Sequence, residues 1–127
     1  MKKQTEIELI IRSILGKDKF LMLNLKLVKE LTPNGACFLT YLLDKYEYLV
    51  KSNLLEDYDG MYLYRREITN KLSLSPYQQR NIESDLKNRD LIEVKEERIQ
   101  GETFNKYYLN LSNIYNLVEK VKDTCSA

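Results

Sequence analysis

A mainly helical α+β fold is what this sequence predicts, and three observations predict it. Residues 73–94, SLSPYQQRNIESDLKNRDLIEV, read as a capped helix that runs straight into a short hydrophobic strand. Ser75 is a good N-cap, Pro76 stands where a missing N–H costs nothing, and Gln78 completes an S-x-x-Q capping box. Just upstream, residues 65–72 (RREITNKL) place Ile68 and Leu72 one helical turn apart. Only Ser73 and Leu74 separate this short helix from the capped one, so the two must cross at a steep angle. Downstream, Leu91, Ile92 and Val94, then a polar tip, then KYYLNL at residues 106–111 read as a two-stranded wing. Short helix, tight turn, capped helix and wing, in that order, predict a winged helix-turn-helix with an extra N-terminal helix and strand and a C-terminal helix.

The remaining elements follow from periodicity. Residues 5–15 carry Ile7, Ile10, Ile11, Ile14 and Leu15 at the spacing of one helical stripe, with a T-x-x-E box from Thr5 to Glu8 and Gly16 as a natural stop. Residues 20–28 (FLMLNLKLV) alternate Leu21, Leu23, Leu25 and Leu27 against Asn24 and Lys26, which predicts a strand with one covered face. Thr32-Pro33 opens a long central helix to about residue 50, with Leu39, Leu42, Leu43, Tyr46 and Leu49 or Val50 as its inner stripe. Residues 52–60 read as an acidic surface loop and residues 61–64 as a short strand. Ser112 is the expected cap of a final helix with Ile114, Leu117, Val118 and Val121 on one side. One domain is expected over residues 1–127: an N-terminal helix-strand extension at 1–31, the winged-helix core at 32–111 and the closing helix at 112–127.

Composition narrows the function classes. Hydrophobic residues make up 43% and charged residues 31% of the 127, a globular balance without long disorder. No apolar run reaches membrane-spanning length, and the N-terminal segment, with Glu6 and Glu8 and no small-x-small site, does not read as a signal peptide. Cys37 and Cys125 lie far apart and histidine is absent, so neither a metal site nor a disulfide framework is expected, and a reducing cytoplasm fits best. The net charge is only +1, distributed as +3 over residues 1–31, −3 over 32–64 and +1 over 65–108. That is not the footprint of an indiscriminate nucleic-acid binder, although a winged helix needs only a local basic face.

Within the capped helix, Gln79, Ile82, Glu83 and Leu86 are expected to face the domain and Tyr77, Gln78, Arg80, Asn81 and Ser84 to face outward. Arg80 suits guanine or a phosphate, and Asn81 or Gln78 suits adenine, so with Ser75 at the helix start these are the expected DNA-contacting residues. Asp85 on the same helix argues against deep, uniformly basic docking. The wing adds Arg98 and Lys106 with Gln100-Gly101 at its tip, diluted by Glu96, Glu97 and Glu102. Arg65 and Arg66 begin the first motif helix, where backbone N–H groups favour a phosphate. The ten tyrosines are expected in core and boundary roles, with Tyr41, Tyr46, Tyr62, Tyr64 and Tyr108 on core or strand periodicity rather than stacking on single-stranded bases.

On these residues the chain resembles the N-terminal winged-helix domain of bacterial primosomal DnaD proteins and the related replication-initiator or replisome-organiser domains of Gram-positive phages and plasmids. The likeness covers roughly residues 20–121 and rests on LSPYQQRNIESDL followed by LIEV, and on GETFNKYYLNLSNIYNLVEKV leading into a closing helix. Ser73 and Asp90 stand where the family often has glycine, and Asp tolerates left-handed geometry. The resemblance implies DNA metabolism and self-association; activities of the family's C-terminal part are not implied.

The expected function is therefore double-stranded DNA binding in replication initiation on a phage, plasmid or other mobile element, with transcriptional regulation as the alternative. A protein–protein oligomerisation module without intrinsic DNA binding is the third reading. No cofactor is expected, and no enzyme: no carboxylate pair, Ser–Lys pair or glycine-rich phosphate loop stands in a recognisable context, and the four glycines are isolated. Partners are expected to be duplex DNA, replication proteins and a second copy of the chain, through Ile7, Ile10, Ile11, Ile14, Leu117 and Val121.

Overall fold

In the computed structural model, which describes residues 2–16 and 21–126, the order is α1 (Lys2–Gly16), α2 (Leu25–Lys51), β1 (Met61–Tyr64), α3 (Arg65–Leu72), α4 (Pro76–Asn88), β2 (Ile92–Ile99), β3 (Glu102–Leu109) and α5 (Leu111–Ser126). The fold is α+β and mainly helical, with one antiparallel sheet in the order β1-β3-β2. No helix among the described residues is long and apolar enough to cross a membrane.

The expected strand at residues 20–28 is corrected. Residues 21–24 have no regular structure, and helix α2 begins at Leu25 behind Asn24, whose side chain accepts from the Lys26 N–H at 2.8 Å. Phe20 lies outside the described residues. The alternating leucines share no buried face, since Leu23 and Leu25 are exposed, whereas Leu27 and Leu31, four apart, are buried on one helical side. A helical pair with a local cap outweighs a two-residue alternation that has no neighbouring strand to pair with. The helix start expected at Thr32-Pro33 lies inside α2 as a break: Thr32 leaves the helix at φ 72° and its hydroxyl accepts from the Gly35 N–H at 3.3 Å, so the chain re-enters through a capped, proline-led turn.

Two other starts differ from expectation. Helix α1 runs from Lys2, so the Thr5–Glu8 box lies within it rather than capping it. Helix α5 is capped by Asn110 instead of Ser112, the Asn110 side chain accepting from the Asn113 N–H at 3.1 Å. Asn110 stands two residues before Ser112 and its side chain reaches the third N–H of the helix, so the helix starts at Leu111.

The core is formed by Phe38, Leu39 and Leu42 of α2, Ile68 of α3, Leu86 of α4, Met61 and Leu63 of β1 and Tyr107 of β3, with Ile114 of α5 at its edge. The rings of Phe38 and Tyr107 meet edge to face, their centroids 6.0 Å apart. Register fixes the two sheet faces. Met61, Tyr107 and Val94 align on the inner face, as do Leu63, Asn105 and Glu96, while Tyr62, Lys106 and Lys95 align on the outer one. The β2–β3 hairpin closes through Gln100 (φ 50°) and Gly101 (φ 84°), both left-handed, which is the two-residue turn that matches strand twist. Ser73 and Asp90 also take left-handed φ, 58° each.

Candidate nucleic-acid interface

Helix α4 is fixed at its start by the predicted capping box. The Ser75 hydroxyl accepts from the Gln78 N–H at 3.1 Å, and the Gln78 side chain accepts from the Ser75 N–H at 2.9 Å. Its inner side is anchored by polar side chains as well as by Leu86. Gln79 is fully buried and donates to the Leu74 carbonyl and the Thr69 hydroxyl, both at 2.8 Å, which ties α4 to α3 and to the turn between them. Glu83 is bonded by both terminal nitrogens of Arg65, at 3.1 and 3.2 Å, and by the Tyr107 hydroxyl at 2.6 Å, which in turn accepts from Asn105 at 3.1 Å. Burial, with the Glu83 charge alongside, pushes the Tyr107 hydroxyl far above its ordinary pKa, so it remains a donor. One buried network thus sets the angle between α3, α4 and the sheet.

The residues singled out from sequence divide accordingly. Tyr77, Arg80 and Asn81 stand exposed on the outward side of α4, and none of them makes an ion pair or side-chain hydrogen bond among the described residues. Ser75 and Gln78 are exposed too, but their side chains are engaged in the cap. Arg98 and Gln100 sit exposed at the end of the hairpin. Arg66 is 73% exposed, lies 5.8 Å from the Tyr64 ring centre and 3.8 Å from a Glu102 oxygen.

Arg65 is corrected: with 11% of its side chain exposed and both terminal nitrogens on Glu83, it serves the interior and offers nothing to a phosphate. Glu83, inward as expected, needs a cation there, and Arg65 is the one the fold supplies. Lys106 is also displaced from the expected group. It pairs across to Lys95, five residues or about 17 Å from the hairpin turn, in the middle of the outer sheet face. Asp85, the expected repulsive acid, is held by Arg89 at 3.2 Å.

Of the residues expected to mediate self-association, Ile7, Ile10, Ile11 and Ile14 are exposed, between 48% and 68%, along with Leu9 at 61%. Leu117 is half-buried against the core, and the side chain of Val121 lies outside the described residues. Cys37 is a half-buried free thiol. In comparisons with known proteins, no family model, no curated protein and no solved structure matches this chain.

Proposed function

We propose that this chain is a winged helix-turn-helix protein that binds double-stranded DNA, with α4 in the major groove and the β2–β3 hairpin as the wing beside it. The observation that carries this reading is the division of α4. The one carboxylate on its inner side, Glu83, is bonded by Arg65 and Tyr107, while Tyr77, Arg80 and Asn81 face outward with no side-chain partner among the described residues. Arginine and asparagine are the side chains that match the major-groove edges of guanine and adenine. Arg98, at the far end of the hairpin, is placed to meet the phosphate backbone. The sequence resemblance supports a role in replication initiation on a mobile element, with transcriptional regulation as the neighbouring role of the same fold.

The test is titration of random duplex at low salt with the wild-type chain and Arg80→Ala. Loss of a bidentate base contact costs about 1–3 kcal/mol, hence about 5- to 150-fold in affinity, and this loss should exceed that of Arg98→Ala. Equal affinity of wild type and Arg80→Ala, with unchanged circular dichroism, would remove α4 from the interface. A second reading, an assembly module without intrinsic DNA binding, is favoured by the +1 net charge, and absence of duplex binding at low salt would select it. Under either reading a second copy of the chain is the partner for the exposed isoleucines of α1, since a two-fold pairing of like helices covers both apolar stripes at once.

A further inference from the structure

The outer face of the sheet carries aromatic rings and cations where a solvated sheet face normally carries mixed polar residues. Tyr62 is 49% exposed, and Tyr64, Phe104 and Tyr108 are partly exposed beside it. The Tyr64 and Phe104 rings are stacked at a tilt, 4.3 Å between centroids. Lys106 lies between two tyrosines, its amine 5.1 Å from the Tyr62 ring centre and 5.4 Å from that of Tyr108. The Lys95 amine lies 5.4 Å from the same Tyr108 ring centre. Gly60 keeps this packing open, because a Cβ there would meet Lys106 at 2.8 Å and Tyr108 at 2.9 Å.

Two features of this face are unexplained by folding. Lys95 and Lys106 are directly opposite each other across β2 and β3, an arrangement of like charges that costs stability. Neither has a carboxylate partner among the described residues; both rest on aromatic rings instead. Such a pair is relieved by an anion. The rings lie within reach of it, and a polyanion that also presents flat π-faces satisfies both halves of the surface. Double-stranded DNA does not, since its bases are stacked on one another and closed to side-chain rings. A single strand does, with bases on the tyrosines and phosphates on the lysines as these swing off the rings.

We propose that the outer sheet face, centred on Tyr62, Lys106, Tyr108 and Lys95, is a binding site for single-stranded nucleic acid. It spans about 10 Å across three strands and about 13 Å along β3 from Phe104 to Tyr108, room for two or three splayed bases. Glu93 and Glu97 flank Lys95 on β2, so on that strand this lysine is the cation the site offers. The site is separate from the outward face of α4 and does not depend on duplex binding.

The experiment is fluorescence anisotropy with a labelled oligothymidylate of about 15 nucleotides, the full chain and low salt. Wild type should bind, and Tyr62→Ala with Tyr108→Ala should weaken binding about 10- to 100-fold at unchanged circular dichroism. Lys95→Gln with Lys106→Gln, which leaves the rings intact, should lower the salt slope of oligothymidylate binding by about 1.4, from two phosphate contacts on a single strand. Arg80→Ala should leave this binding within about twofold, whatever it does to duplex. Absence of oligothymidylate binding, or a tyrosine double variant that binds like wild type, would overturn the proposal. So would equal loss of both ligands in Arg80→Ala, which would put the single strand on α4, or a change of oligomeric mass in the tyrosine variant, which would make this face a contact between copies. Absence of duplex binding by the wild-type chain, with oligothymidylate binding present, would sink the reading of α4 and leave this one standing.

Discussion

Replacing Arg65 by methionine keeps the volume of the side chain but leaves the Glu83 carboxylate buried with only the Tyr107 hydroxyl to stabilise its charge. The pair is 11% and 8% exposed, so solvent offers little compensation for the lost partner. Breaking a buried ion pair from one side costs about 3–5 kcal/mol. For a chain of this length each kcal/mol lowers the melting temperature by about 3–6 °C, so Arg65→Met should melt about 10–30 °C below wild type. Glu83→Leu should fall by a similar amount, since it leaves the guanidinium unpaired. The double variant removes both charges and should recover most of the loss, with a residue of about 1–3 kcal/mol because the Tyr107 hydroxyl, 2.6 Å from Glu83, loses its acceptor. Adding Tyr107→Phe to the double variant should not recover that remainder, because it removes the acceptor of the buried Asn105 side-chain N–H, 3.1 Å from the Tyr107 hydroxyl. The measurement is thermal and urea unfolding across this cycle, with duplex affinity determined well below the melting range. Arg65→Met that melts within about 3 °C of wild type while losing duplex affinity would refute the buried network and return Arg65 to the surface.

Glu67 accepts from the Tyr41 hydroxyl at 2.7 Å and from Lys45 at 3.0 Å, and although desolvation raises its pKa, these two bonds and the lysine charge outweigh it and hold the carboxyl below 4.5. A lowered folded pKa contributes stability that is present above 4.5 and lost as pH falls through the folded value, so Glu67→Gln should be less stable than wild type near neutrality and show a flatter acid limb; identical urea midpoints from neutral pH to acid would contradict this. Deleting residues 1–18, which removes the exposed isoleucines of α1, should shift the chain from dimer toward monomer by light scattering, and a wild-type monomer at tens of micromolar would end the reading of α1 as a self-association helix.

The helices and the hairpin were legible because their signals are local. The Ser75–Gln78 box, the Thr32-Pro33 break and the left-handed Asp90 each depend on residues within a few positions of one another, and the structure keeps all three. The phase of α4 was also legible, with Gln79, Glu83 and Leu86 buried and Tyr77, Arg80 and Asn81 outside. What the sequence did not disclose depends on contacts between distant residues. Leu21, Leu23, Leu25 and Leu27 alternate as in a strand, but residues 21–24 take no regular structure and the Asn24 cap starts a helix at Leu25. Arg65 resembled a surface arginine until its position opposite a buried carboxylate eighteen residues away was known. The tyrosines of β3 show the same limit: two adjacent ones, Tyr107 and Tyr108, face opposite sides of the sheet, and only pairing with β1 and β2 decides which enters the core.

Charge pairing explains how a chain of net charge +1 can present basic faces at all. The acids nearest the helical motif are paired: Glu83 with Arg65, Glu67 with Lys45, and Asp85 with Arg89. Arg80 and Arg98 on the α4 side, and Lys95 and Lys106 on the sheet, are left without a carboxylate partner among the described residues. Net charge counts the paired groups and the unpaired ones equally, whereas a phosphate meets only the latter. Each face then offers about two cations, so binding at either should be weakly dependent on salt, with slopes near −1.8 for duplex at α4 and −1.4 for a single strand on the sheet. Shallow electrostatic attraction leaves affinity to groove contacts in one case and to ring stacking in the other. On these proposals the chain gains little on undifferentiated duplex from charge alone, and its discrimination rests on Arg80 and Asn81 at the groove and on the tyrosine rings at the sheet.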